Sequence, residues 1–215
     1  MPPYFSVTSM FRNNKITSDF INQLYCSVIE EGYPFLSTYD SSESFDKLIN
    51  WNQRAFEFFL PKQLPYCYGF KQIMFAASSY SHMRGLFSLY QNHGIFTIIV
   101  PEYDVLKEEC SLNFIDEKIA PLRQLAVRLW EKGIADVIQT HTEIDGPVNF
   151  DAVERGHFLM DIPFAIVHKD VLIKFPEEFF RWKECRVINS DGILIINQNP
   201  ELFIEYWKSK HDVIF

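Results

Sequence analysis

Residues 67–105 read CYGFKQIMFAASSYSHMRGLFSLYQNHGIFTIIVPEYDV, and the prediction of the fold begins with them. Three runs within them are rich in the residue types that favour strands: residues 70–77, 86–90 and 95–100. Residues typical of turns separate the runs, and Arg84 and Gly85 belong to the first of these turns. The pattern predicts a β-meander whose apolar strands need a covering layer on at least one face.

Helical periodicity on both sides of this segment predicts that layer. We expect four helices, at residues 18–31, 43–59, 115–132 and 200–210. In the second helix Leu48 and Phe56 belong to one apolar stripe, whereas Trp51 and Phe58 fall outside it. A helix that is apolar on more than one side is expected to be covered by more than one element.

Further strands are expected after residue 132. They are a strand at 135–140, a hairpin of 164–168 with 171–175, and a hairpin of 184–189 with 193–197. Strands and helices that segregate in this way favour an α+β fold, a mainly antiparallel sheet packed against helices. We expect a single domain over residues 1–215, and any subdivision would fall near residues 104–112.

The charge balance limits the partners that can be expected. The 215 residues include 20 Lys and Arg against 28 Asp and Glu, a formal net charge of −8. This charge opposes attraction to nucleic acid and to anionic lipid, and it is compatible with a basic protein partner. The sequence does not predict the oligomeric state.

Several observations predict a cytoplasmic protein. The first residues, MPPYFSVTSMFRNN, show no basic region followed by an apolar core, so no signal peptide is expected. No apolar run approaches the roughly 18 residues of a membrane helix. The four cysteines are far apart and are expected to be reduced and buried: Cys26, Cys67, Cys110 and Cys185.

The densest polar break in the meander, residues 78–85, is the first candidate site. Such a loop can present hydroxyls, an imidazole and a guanidinium to an anionic ligand, with Arg84 as the predicted binding residue. A nucleophilic Ser79 with His82 as its base is an alternative, although the sequence lacks the G-x-S-x-G elbow. An ordinary hairpin connection would also account for these residues.

A second candidate is the fragment Thr140-His141-Thr142-Glu143. A strand would place His141 and Glu143 on one face, where they could share a proton or a metal ion. The deaminase-like H-x-E motif also needs a P-C-x-x-C partner, which the sequence lacks. Polar residues at a strand end are the simpler explanation, and no metal site is expected.

The third candidate is the aromatic cluster that contains Phe179 and Trp182. Their neighbours are charged, and Trp, Phe and Arg are typical of binding hot spots. If the rings are exposed, they form a protein-binding surface. If they are buried, they fill the corner where one strand turns into the next hairpin.

Nucleotide, dinucleotide, zinc-protease and calcium motifs are absent from the sequence, so no cofactor is expected. The segment PLRQLAVRLWEKGIADVIQTHTE, residues 121–143, resembles the central helix and following strand of acyltransferases of the N-acetyltransferase superfamily. In that family a glycine-rich loop before the helix holds the pyrophosphate of coenzyme A. Here the preceding residues are SLNFIDEK, without glycine, so no site residue is assigned from the resemblance.

The sequence thus favours a non-enzymatic binding protein that acts through an acidic, aromatic-bearing surface. An inhibitor, an immunity-type protein and a ligand-sensing module all fit, with a basic protein or a small ligand as the partner. The alternative is a small enzyme, in particular an acyltransferase-like transferase, with a polar site near Ser79, His82, His141 and Glu143. That alternative predicts that these four residues converge on one pocket.

Overall fold

The computed structural model describes residues 3–39, 43–67, 69–108, 111–144 and 146–211, with side chains up to residue 206. These residues contain ten strands: β1 Tyr4–Arg12, β2 Phe35–Thr38, β3 Tyr66–Cys67, β4 Ile73–Phe75, β5 Met83–Tyr90, β6 His93–Pro101, β7 Val137–Thr142, β8 Phe164–His168, β9 Lys183–Val187 and β10 Gly192–Asn197. They also contain seven α-helices: α1 Phe20–Glu30, α2 Phe45–Phe59, α3 Glu102–Val105, α4 Asp116–Glu131, α5 Phe150–Glu154, α6 Lys169–Leu172 and α7 Pro200–His211. Short 3-10 helices lie at Asn13–Lys15, Leu60–Lys62 and Glu177–Phe180.

All ten strands belong to one antiparallel sheet with the order β2-β4-β5-β6-β1-β7-β8-β10-β9, and β3 pairs with β5. The predicted α+β class and the meander β4-β5-β6 are confirmed. The four predicted helices are confirmed as α1, α2, α4 and α7, within two residues at each end. Strands from both sides of residues 104–112 pair with β1, so that segment does not separate two sheets.

Helices α1, α2 and α4 cover one face of the sheet. On this face Phe11 of β1 lies 6.4 Å from the ring of Phe56, and Tyr25 of α1 lies 6.1 Å from the ring of Phe96. Helix α4 packs beside α1 and against β8. Full burial of each large side chain contributes about 1.5–3 kcal/mol, so this aromatic layer is the main source of stability.

The opposite face of β5, β6, β1 and β7 is called the polar face below. Cross-strand pairing places Ser6, Thr8, Arg84, Thr97 and His141 on it. These residues alternate along the strands with those that point at the helices. Ser6, Thr8, Arg84 and His141 are buried, and Thr97 is partly buried.

Two predictions about local structure are wrong. Arg84 and Gly85 lie inside β5 and not in a turn. The ring of Phe96 lies 2.7 Å from where a Cβ of residue 85 would stand, so the glycine serves close packing in the strand and not a turn. Residues 171–175 do not form a strand. Instead His168 caps the short helix α6 by accepting a hydrogen bond from the backbone N–H of Asp170, and β8 pairs with β7 and β10.

The exposure of the cysteines agrees only in part with the expectation that they are buried. Cys67 is buried as expected and Cys26 is half-buried, but Cys185 is exposed on β9. Cys110 lies outside the described residues.

None of the helices in the described parts of the chain combines the length and apolar character needed to cross a bilayer.

Candidate anion-binding site at Arg84

Arg84 is a buried cation on the polar face, with only 7% of its surface exposed. Its guanidinium carbon lies 4.5 Å from the ring centre of Tyr4 and 5.1 Å from that of Tyr39. Tyr4 comes from β1 and Tyr39 follows β2, so the two rings approach from different sides of β5. The guanidinium is therefore held in a defined place by two cation–π contacts.

The charge of Arg84 is not balanced by an acid. Among the described residues no carboxylate lies within ion-pair distance of it, and its buried Nε has no hydrogen-bond partner. Its Nη1 donates a long hydrogen bond to Gln72 Oε1, at 3.4 Å. A guanidinium stays protonated in proteins, so it cannot relieve the cost of burial by losing its proton.

The magnitudes show that this arrangement is unfavourable without a ligand. Burial of an unpaired ion costs several kcal/mol, and a desolvated cation–π contact contributes about 2 kcal/mol or more, so the two contacts offset much of that cost. The buried Nε still lacks an acceptor, and the hydrogen bond from Nη1 to Gln72 is long. An anionic group beside Nε would supply the missing charge and the missing acceptor.

His82 belongs to the same site. Its ring lies 5.9 Å from the ring of Tyr4, in an edge-on contact. Burial and the nearby Arg84 lower the pKa of His82, while Asp104 partly opposes the shift. At neutral pH His82 is therefore an uncharged imidazole that can donate or accept a single hydrogen bond beside the guanidinium.

His141 lies on the polar face in the same cross-strand row as Arg84, three strands away and thus about 14 Å from it. Its Nδ1 lies 2.8 Å from the carbonyl oxygen of Thr142, and its Nε2 lies 3.0 Å from the hydroxyl of Thr8. Because a carbonyl oxygen only accepts, Nδ1 is the donor to Thr142, and Nε2 forms the contact with the Thr8 hydroxyl. The imidazole therefore joins strands β1 and β7.

Ser79 and Glu143 are not joined to the two histidines in a catalytic arrangement. The contacts described for both residues are made by backbone groups: the Ser79 carbonyl accepts from Lys118 Nζ, and the Glu143 N–H donates to Glu102 Oε1. No hydrogen bond links Ser79 with His82. Among the described residues no group of three or more His, Cys, Asp or Glu side chains is placed to hold a metal ion.

A group of acidic residues lies near this site. Glu102 accepts a hydrogen bond from the N–H of Glu143, and the residues that follow them, Tyr103 and Ile144, are 54% and 87% exposed. Asp104 accepts hydrogen bonds from both the backbone N–H and the hydroxyl of Ser81, each at 2.7 Å. The basic protein partner of such a surface stays a prediction.

The aromatic cluster is mostly internal, which corrects the binding role predicted for Phe179. That ring is fully buried, as the alternative explanation of a packed corner requires. Trp182 is half-buried with a positive φ of 67°, and the guanidinium of Arg181 lies 4.9 Å from its ring. Its binding role stays a prediction.

A buried ion pair lies behind Phe179. Lys183 Nζ is 2.5 Å from Asp161 Oδ2, and neither side chain has any exposed surface. The ammonium also lies 3.6 Å and 3.4 Å from the ring centres of Phe179 and Phe203. Asn197 donates a hydrogen bond to the other oxygen of Asp161, at 3.3 Å. This second buried cation therefore has the carboxylate that Arg84 lacks.

Burial makes Lys183 a source of pH dependence. Burial lowers the pKa of Lys183 from 10.5 to about 8, although Asp161 opposes the shift. Between these two values the unfolded chain binds more protons than the native protein, so stability rises with pH. We expect the free energy of unfolding of the native protein, relative to an Asp161→Asn/Lys183→Met double variant, to rise by about 2 kcal/mol between pH 7 and 9.5. Urea denaturation measures this difference, and a flat difference would contradict the assignment.

The sequence pointed to Arg84 and His82 but not to the residues that surround them. Tyr4, Tyr39 and Gln72 carry no motif, and only the sheet order β2-β4-β5-β6-β1 brings them to the guanidinium. The helix and strand implied by the acyltransferase resemblance are present as α4 and β7. Comparisons with protein-family models, with curated proteins and with solved structures find no match.

Proposed function

We propose that this chain is a non-enzymatic binding protein whose ligand carries a carboxylate or phosphate group that binds Arg84. The observation that carries the proposal is a guanidinium that is 93% buried and has no acidic partner among the described residues. A protein gains no stability from such a group, so its presence is best explained by recognition of an anion. A small ligand was one of the partners expected from the sequence.

The surroundings of Arg84 favour an oxyanion that offers two acceptor oxygens side by side. The Nε–H has no acceptor and is buried, so an anion that accepts two parallel hydrogen bonds from the side of the guanidinium would bind once the neighbouring side chains move aside. The rings of Tyr4 and Tyr39, with centres 4.5 Å and 5.1 Å from the guanidinium carbon, restrict access to the group. His82 adds one uncharged hydrogen-bonding group.

Binding is favoured over catalysis because the hydroxyl and imidazole that lie within hydrogen-bond distance of each other are not accessible to a substrate. The closest pair of this kind, Thr8 with His141, is fully buried at the threonine, so a substrate has no access to its hydroxyl. The enzyme alternative near Ser79, His82, His141 and Glu143 stays a prediction. His82 and His141 lie on the same face of the sheet, as the enzyme alternative requires. In the described contacts, however, the Ser79 hydroxyl does not bond to either imidazole.

Replacing Arg84 with methionine tests the proposal, because it should raise the stability of the protein and abolish anion binding at the same time. We expect Arg84→Met to stabilise the ligand-free protein by about 1–3 kcal/mol, because an unpaired buried charge is removed while the apolar stem is kept. The same variant is expected to lose anion binding. The probes are benzoate, phenyl phosphate and inorganic phosphate, each titrated against the protein with the thermal midpoint and the amide NMR shifts of β5 as readouts.

The probes also separate the two ligand classes. A probe at 100 times its Kd should stabilise the native protein by about 2.7 kcal/mol and leave Arg84→Met unchanged. Benzoate alone indicates a carboxylate ligand, and the two phosphates indicate a phosphate ligand. The matched control is Arg155→Met, the same change at an exposed cation. Loss of stability in Arg84→Met, or equal binding by both variants, would show that Arg84 is structural.

A further inference from the structure

Helix α2 has two different faces. Leu48, Asn52 and Phe56 point into the protein and are buried. The outward side carries Trp51, 51% exposed, and Phe58, 59% exposed, which are separated by seven residues and thus lie about 10 Å apart along one stripe. Helix α2 contacts α1 and β2, as expected of a helix that is apolar on more than one side, but Trp51 and Phe58 stay about half exposed.

The outward side forms one wall of a groove with a volume of about 670 Å³. The segment after β3 forms the other wall, where the carbonyl of Gly69 accepts a hydrogen bond from Trp51 Nε1, at 2.9 Å. Lys71 Nζ lies 4.4 Å from the Trp51 ring centre and 2.5 Å from Glu43 Oε2. Trp51 is thus held in one orientation while its ring stays half exposed.

The charge of the groove is opposite to that of the chain. Its lining includes three cations, Lys47, Arg54 and Lys71, and one carboxylate, Glu43, so it carries a net charge of +2. The whole chain carries −8. Exposed Trp, Phe and Arg in one concave patch are the residue types that dominate the energy of protein interfaces.

We infer that this groove binds an acidic amphipathic segment of a partner protein. Apolar side chains of the segment would lie against Trp51 and Phe58, and its carboxylates would meet Lys47 and Arg54, neither of which has an ion-pair partner among the described residues. Nucleic acid is disfavoured because only two cations in the groove are unpaired, whereas nucleic-acid binding uses about 6–10 phosphate contacts. The site is separate from Arg84 and does not depend on the function proposed there.

The test uses two labelled helical peptides of 15 residues that differ only in charge. Each carries leucine or phenylalanine at two positions seven residues apart, with the remaining positions alanine and either glutamate or lysine. Fluorescence anisotropy is expected to show binding of the glutamate peptide alone, with a shift of the Trp51 indole N–H signal. Trp51→Ala and Phe58→Ser are each expected to weaken binding at least tenfold.

Charge reversal provides the control for a specific interaction. The Lys47→Glu/Arg54→Glu variant should lose the glutamate peptide and gain the lysine peptide, whereas Arg155→Glu and Arg84→Met should bind as the native protein does. Circular dichroism confirms that each variant is folded. Equal binding of both peptides, unchanged binding by the groove variants, tighter binding of an oligothymidine, or self-association through Trp51 would overturn the inference.

Discussion

Replacement of Asp161 with asparagine is expected to lower the free energy of unfolding by about 3–5 kcal/mol. The physical reason is that the ammonium of Lys183 stays buried between Phe179 and Phe203 but loses its carboxylate. Asparagine keeps the size of the side chain and can still accept the hydrogen bond from Asn197. The loss therefore reports the charge of Asp161 and not its volume. Urea denaturation at pH 7 measures it.

A double-mutant cycle separates the ion pair from the rest of the core. Lys183→Met alone leaves an unpaired buried carboxylate and should also be strongly destabilising, whereas the Asp161→Asn/Lys183→Met double variant should lie within about 2 kcal/mol of the native protein. Methionine fits the space because it is flexible and contacts aromatic rings well. Additive effects of the two single changes would show that the two side chains contribute independently.

The two buried cations show how a structural charge differs from a functional one. Lys183 has a carboxylate at 2.5 Å, an amide behind that carboxylate, and a pKa lowered by burial. Arg84 has two aromatic rings and a long hydrogen bond to an amide. Deletion of Asp161 should leave Lys183 without a carboxylate, as Arg84 is, but Lys183 can relieve the cost by losing its proton and Arg84 cannot. This contrast is why we assign an anionic ligand to Arg84 and a structural role to Lys183.

The four long helices α1, α2, α4 and α7 were predictable from the sequence because their signals are local, whereas the short helices α3, α5 and α6 were not predicted. In α2 the buried positions Leu48 and Phe56 recur at helical spacing, and in α7 Asn199 caps the first turn through a hydrogen bond to the N–H of Leu202. The meander was predictable because turn residues punctuate its apolar runs. These signals do not require knowledge of the packing partners.

Strand β1 was not predictable, although it lies in the middle of the sheet. Eight of its nine residues are buried, and the alternation of apolar and polar residues runs only from Phe5 to Thr8 before Ser9 breaks it, which is too short to mark a strand. Ser6, Thr8 and Ser9 also interrupt its apolar run. At Thr8 the hydroxyl contacts His141 on one neighbouring strand and Thr97 on the other, and such contacts become visible only when the strands are paired.

The candidate site was predictable only in part for the same reason. Arg84 and His82 are conspicuous in an apolar segment, and the sequence assigned binding to one and a catalytic role to the other. Whether a carboxylate lies beside Arg84 depends on how the strands pair, and the sequence alone does not show it. The position of Tyr4 depends on the same pairing, because Tyr4 lies on β1, the strand that the sequence did not reveal. Burial likewise decided against Phe179 as a surface residue.

Replacement of Val7 with proline tests the central place of β1. Val7 is 1% exposed and pairs with Ile98 of β6 and Thr140 of β7, so no side of its backbone is free. Proline removes a hydrogen-bond donor from the sheet, and its ring collides with the neighbouring strand. We expect a loss of at least about 3 kcal/mol, a large fraction of the 5–15 kcal/mol typical of a folded domain. Urea denaturation followed by circular dichroism measures the loss.

The matched control is the same substitution in the edge strand β9. The N–H of Ile188 donates to the carbonyl of Gly192 at 2.9 Å, so the N–H of the preceding residue, Val187, points away from β10. Val187 is also 75% exposed, and Val187→Pro is therefore expected to cost less than about 1 kcal/mol. If the two substitutions had equal effects, β1 would not lie between β6 and β7. Tyr4 would then have no fixed position beside Arg84, and the anion site would lose one of its two walls.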